Sequence, residues 1–135
     1  MSPEYLAGIV DGEGCLGITH GRGFSVRLAI KMKNARFIRS VAEEWNGNFY
    51  AAPDGSPDGC SVVCWSGQRA EDLIKALLPF LIVKRRVAEL ALLFRDEQRK
   101  CRESYPHGTA YPPEIKQRLA LLKDTVQMAV HQEYN

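Results

Sequence analysis

The stretch Leu6-Ala7-Gly8-Ile9-Val10-Asp11-Gly12-Glu13-Gly14 lies at the start of the chain and governs how the rest is read. It is an apolar run with glycines four residues apart, and it ends in a carboxylate held between two glycines. On a helix, Gly8 and Gly12 share one face, where the missing side chains let a second backbone come close. Ser2-Pro3-Glu4 supplies the start of that helix: a hydroxyl cap, a proline at the first helical position and an acid at the positive end. The helix is expected to run to about Gly12. Taken alone, the stretch reads equally as a short buried helix with a glycine cap, Asp11 and Glu13 being solvated end residues.

From Cys15 the period changes. Leu16 and Ile18 alternate with Gly17 and Thr19, and His20-Gly21-Arg22-Gly23 makes a turn. In the next strand Phe24, Val26, Leu28, Ile30 and Met32 share one face, and Ser25, Arg27, Ala29, Lys31 and Lys33 the other. That strand has a buried face and a basic face. Asn34 caps a second helix with Phe37, Val41 and Trp45 at helical spacing, which Asn46-Gly47-Asn48 stops. A short strand at Phe49–Ala51, a loop over Pro53–Gly59 and a fourth strand over Cys60–Ser66 follow. A third helix spans about Arg69–Leu78, and beyond Pro79 a long helix carries Val87, Leu90, Ala91 and Phe94. Its other side is charged with Arg95, Glu97, Arg99 and Lys100. A polar connection, Ser104–Pro113, leads to a last helix over about Glu114–His131. The sequence shows no internal repeat and no second copy of the opening motif.

The opening motif resembles that of the LAGLIDADG homing endonucleases, and so does the order αββαββα. The expected class is therefore α+β: two β-hairpins in one antiparallel DNA-binding sheet, backed by helices and followed by C-terminal helices. Residues 1–135 read as one domain, with the resemblance covering a core of about 1–95 and a helical extension over about 96–135. Pro79-Phe80-Leu81-Ile82-Val83-Lys84 is similar to the segment where the family carries a basic residue near the scissile phosphates. In that family two motif helices pack together, and the acids at their ends bind the catalytic metal. The resemblance thus implies Glu13 and Lys84 as catalytic residues, Glu13 and Gly12 as holders of Mg2+ or Mn2+, and Leu6, Gly8, Ile9 and Gly12 as a homodimer interface. The implied activity is site-specific cleavage of double-stranded DNA at the two-fold axis, the gene residing in a mobile intron or standing free.

Phosphodiester hydrolysis fits so sparse a set of residues. Metal ions held by carboxylates supply most of the chemistry, and magnesium needs only one or two protein carboxylates beside substrate oxygens and water. One Glu13 is too little alone, and an isologous pair of chains corrects the count. Arg22, Arg27, Lys31 and Lys33 are the expected DNA contacts on the second strand and its turn, with Ser61 and Val63 from the fourth strand, where Trp65 shares their face. Without the resemblance, alternating charges on a sheet are simply its solvated side.

Two departures from the family pattern bear on activity. Glu13 replaces the usual aspartate and moves the carboxylate by about 1.5 Å. Ile30-Lys31-Met32-Lys33 stands where the family often has glutamine in an Ile-x-Gln-Lys pattern, and Met32 cannot hold water near a metal. Both favour the alternative of a non-cleaving nucleic-acid binder on the same fold, an RNA maturase or a DNA-binding regulator.

Bulk composition is permissive. The 135 residues carry a net charge of +2 with 45% hydrophobic and 25% charged residues, ordinary values for one globular domain. No apolar run nears the roughly 20 residues of a membrane span, and no secretory leader is apparent, so the chain is expected to be soluble and intracellular. Cys15, Cys60, Cys64 and Cys101 form no metal-ligand spacing. Cys60 and Cys64 are expected to share the core face of their strand.

Overall fold

The computed structural model describes residues 1–133. The elements are α1 (Pro3–Glu13), β1 (Gly14–His20), β2 (Phe24–Met32), α2 (Ala35–Trp45), β3 (Asn48–Tyr50), β4 (Ser61–Ser66), α3 (Gly67–Leu77), a 3-10 turn (Leu78–Phe80), α4 (Arg85–Ser104) and α5 (Pro113–Glu133). Local chemistry explains most boundaries. The Ser2 hydroxyl accepts from the Tyr5 N–H at 3.1 Å, and Pro3 occupies the first turn of α1. Asn34 caps α2 by accepting from the Phe37 N–H at 3.0 Å, and Asn46 ends that helix in the left-handed conformation at φ 54°.

The strands form one antiparallel sheet in the order β1-β2-β4-β3. Its inner face is set by register: Ile30 lies opposite Gly14 and Val63, Leu28 opposite Leu16 and Trp65, and Val26 opposite Ile18. Helices cover this face, and Leu6, Val10, Ile38, Val41, Ile74, Leu77, Val87 and Phe94 complete the core. Leu119, Val126 and Ala129 of α5 join the same cluster, and Gln127 accepts from the Ile18 N–H at 3.2 Å. On α2 the innermost side chains are Ile38, Val41 and Ala42, while Phe37 and Trp45 pack at its margin.

Three expectations need correction. Ser61 and Val63 are 2% and 0% exposed and belong to the inner face, because β4 pairs with β2 as Met32–Ser61 and Ile30–Val63. Trp65 lies there too, its indole N–H donating to the Trp45 carbonyl at 2.8 Å. Cys60 precedes β4, and Cys64, though buried, stands opposite Ala29 on the outer face. Leu6 is fully buried in the core of its own chain and has no surface left for a partner.

Candidate active site and nucleic-acid interface

The outer face of the sheet is the complement of the inner register. Across it run the rows Thr19–Ser25, Gly17–Arg27–Ser66, Cys15–Ala29–Cys64–Asn48 and Lys31–Val62–Tyr50. Arg27 and Lys31 share this face as expected, and Arg22 sits in the exposed β1–β2 turn. Lys33 is exposed just past the end of β2. The residues of β4 and β3 that reach this surface are Val62, Ser66, Asn48 and Tyr50, none of which the sequence singled out. Tyr50 is 57% exposed.

Lys31 is not free-standing. It pairs with Asp58 from the β3–β4 connection, which also accepts from the Ser56 hydroxyl at 2.9 Å and the Cys60 N–H at 3.0 Å. Hydrogen bonding from Lys31, then from the Cys60 N–H, holds the Asp58 carboxyl well below the usual carboxylate range, while Asp58 raises Lys31. Both partners are solvated, so the pair contributes little to stability.

The two ends of the proposed catalytic pair are tied together by Asp11. Its carboxylate accepts from the Ile82 N–H at 2.9 Å and from the Lys84 N–H at 3.0 Å. Lys84, only 4% exposed, donates its ammonium to the Asp11 carbonyl at 3.2 Å. The segment entering α4 is therefore fastened to the last turn of α1, two residues before Glu13. Glu13 itself is exposed at the junction of α1 and β1 and makes no hydrogen bond or ion pair among the described residues. Asp11, expected only as a solvated end residue, is a half-buried clip. Its signal in the sequence was faint, since its partners lie more than 70 residues away.

The glycines divide by what surrounds them. A side chain at Gly14 would meet the Val10 carbonyl oxygen at 2.6 Å and the Val10 Cα at 2.9 Å, so the turn from helix to strand needs glycine within the chain. At Gly8 and Gly12 an added Cβ would meet nothing within 4 Å. Together with half-buried Ile9 and exposed Tyr5 they leave one stripe of α1 uncovered by the other described residues.

A divalent cation fits this helix end in part. The last carbonyls of α1, Gly12 among them, lie at the negative end of the helix dipole; the helix has no basic residue of its own in that turn, and the Lys84 ammonium already bonds the Asp11 carbonyl there. Glu13 adds an uncommitted carboxylate. Among the described residues, however, no group of three or more His, Cys, Asp or Glu comes together to hold a metal.

With this geometry in view, comparison with known proteins is informative at the level of structure. No family model matches the sequence, and no curated protein sequence matches it. Solved structures do. The homing endonuclease I-CvuI, in complex with the I-CreI target and magnesium with its DNA not cleaved, superposes with a TM-score of 0.76 at 22% identity, over 94% of this chain and 80% of that one. The fold is that of the LAGLIDADG homing endonucleases. The archaeal intron-encoded I-Vdi141I, complexed with DNA, gives 0.72 at 16% identity over 94% of this chain and 82% of its own. The LAGLIDADG meganuclease I-AabMI, bound to uncleaved DNA, gives 0.73 at 19%, over 95% of this chain but 45% of its own. The likeness extends well past residue 95 and takes in much of the C-terminal helical region.

Proposed function

We propose that the chain is a site-specific endonuclease that works as a homodimer and hydrolyses both strands of a DNA duplex with magnesium or manganese. The observation that carries this reading is Glu13: a carboxylate at a helix C-terminus that pairs with none of the described residues, on a helix to whose last turn Lys84 is clipped and whose glycine stripe is covered by none of the described residues. The stripe suits a second copy, and a two-fold axis along it supplies the second Glu13. Magnesium, when bound, would activate water and offset charge on the phosphate. Glu13 and the Gly12 carbonyl would hold it. Lys84 would stabilise negative charge developing at the phosphate, and Arg27, Lys31, Lys33 and Arg22 would orient the duplex.

The test begins by selecting a target from a randomised duplex library through binding in calcium. Cleavage of the selected duplex in magnesium is expected, and Glu13→Gln should reduce it by orders of magnitude while affinity in calcium changes little. Glu13→Asp should remain active. Full cleavage by Glu13→Gln would remove Glu13 from the active site.

One observation favours a second reading, a nucleic-acid binder that does not cut. Met32 is half-buried and packs on the core, so no polar side chain stands where the family resemblance calls for glutamine. Tight binding of the selected duplex without cleavage in magnesium or manganese would establish that reading.

A further inference from the structure

A cleft of about 940 Å³ opens on the helix side of the sheet, between the β1–β2 turn, α4, the 105–112 connection and α5. Arg22, Arg95, Arg99, Arg102 and Lys116 line it with two histidines, and among the described residues no aspartate or glutamate does. The arginine geometry is built rather than incidental. Glu71, 1% exposed behind the wall, bonds Arg99 and lies 4.0 Å from Arg95 Nε, while Arg95 Nη2 donates to Gln68 Oε1 at 3.2 Å. Arg95 Nε is shielded from solvent and has no hydrogen-bond partner among the described residues. Arg102 lies over the Tyr111 ring at 4.3 Å and donates to the carbonyls of Tyr105 at 3.2 Å and Thr109 at 3.5 Å. Buried Glu71 and exposed Asp96, which accepts from Arg99 at 2.9 Å, are outnumbered by the cations of the wall, and a concave wall concentrates their field.

We infer that this cleft binds a ligand bearing adjacent phosphate groups. Arginine forks match phosphate oxygens in pairs, and hydrogen bonds to an ionised oxygen are the strong ones. The five cations are spread over a volume far larger than one oxyanion, which favours neighbouring phosphates over a lone carboxylate or phosphate. Such groups come from a free di- or triphosphate ester or from a nucleic-acid backbone passing the hairpin tip. The site does not include Glu13; His20 and Phe24 enter it from the inner face of the sheet, and it meets the outer face at the hairpin tip through Arg22 and Ser25. It does not depend on the nuclease reading.

Pyrophosphate, titrated into the 15N-labelled full chain without divalent metal, is the direct probe. Saturable amide shifts are expected along the β1–β2 turn, α4 and the start of α5. Lys116→Glu, on the exposed side of α5, should weaken pyrophosphate binding roughly tenfold with an unchanged melting temperature. Lys100→Glu, an equal charge reversal outside the lining, should leave the affinity near that of the parent. Two duplexes, one short and one extended by flanks, separate the sources. Competition by pyrophosphate against the extended duplex alone supports a backbone ligand, and competition against neither supports a free ester. Absence of saturable shifts in the cleft, or equal losses in Lys116→Glu and Lys100→Glu, would overturn the assignment.

Discussion

Replacing Gly8 with alanine should strengthen the single chain and weaken the pair, two effects of opposite sign from one methyl group. Gly8 sits in the middle of α1, and nothing within 4 Å would meet the new Cβ. The chain then gains the ordinary helix-interior difference between alanine and glycine, about 0.5–1 kcal/mol. In a dimer packed through this stripe the same methyl enters a close helix contact, where overpacking costs about 1–3 kcal/mol. Two-fold symmetry applies the penalty twice, roughly 2–6 kcal/mol, or at least about thirtyfold in the dimer dissociation constant. Sedimentation over a concentration series measures the association, and urea melts at dilutions where both proteins are monomeric measure the chain. Gly14→Ala is the internal contrast: its methyl would press on the Val10 backbone and should destabilise the chain. A dimer constant within threefold of the parent, or a less stable Gly8→Ala monomer, would refute the assignment of the bare stripe to a second copy.

Other outcomes follow from the charges. Asp58→Asn should release Lys31 for phosphate contact, raising duplex affinity at low salt and steepening its salt dependence by up to about one unit; an unchanged slope would show that Lys31 does not meet the backbone. Burial pushes the Glu71 carboxyl up, but hydrogen bonds from Arg99 and Gln68 and the charges of Arg99 and Lys75 outweigh it and leave the group below its ordinary value of 4.5. A depressed carboxyl contributes stability above its unfolded value and loses it as pH falls through the folded one. Glu71→Gln should therefore cost about 2 kcal/mol near neutral pH in urea melts, with a gap that narrows below about pH 4.5.

Where sequence reading succeeded, the pattern was local and unambiguous. The caps of α1 and α2 and the alternation of β2 each rest on neighbouring residues, and the structure keeps them. The phase of β4 was not legible, because Val62 and Val63 are both apolar and flank no clean alternation. Only pairing with β2 decides that Val63 turns inward and Val62 outward. Leu6 was grouped with Gly8, yet residues two apart on a helix lie roughly 200° round from each other. Leu6 falls on the side facing the core and Gly8 on the bare side. Glu71 is marked by no local pattern, because its partner Arg99 comes from α4, 28 residues on. The Asp11 clip is a pairing of the same distant kind.

That clip fixes when the site comes into being. Asp11 meets Ile82 and Lys84 across separations of 71 and 73 residues, a span that includes every strand of the sheet. Contacts of such range carry the loop-closure entropy of the whole intervening chain, and they form after the local hairpins. A nascent chain with only its first helix and hairpin folded presents Glu13 without Lys84. Local opening of the segment around Leu81–Lys84 would likewise detach the lysine while leaving the sheet intact. The Asp11–Lys84 contact therefore reports complete closure of the core, and under the proposed function a partly folded chain would lack Glu13 and Lys84 as a pair.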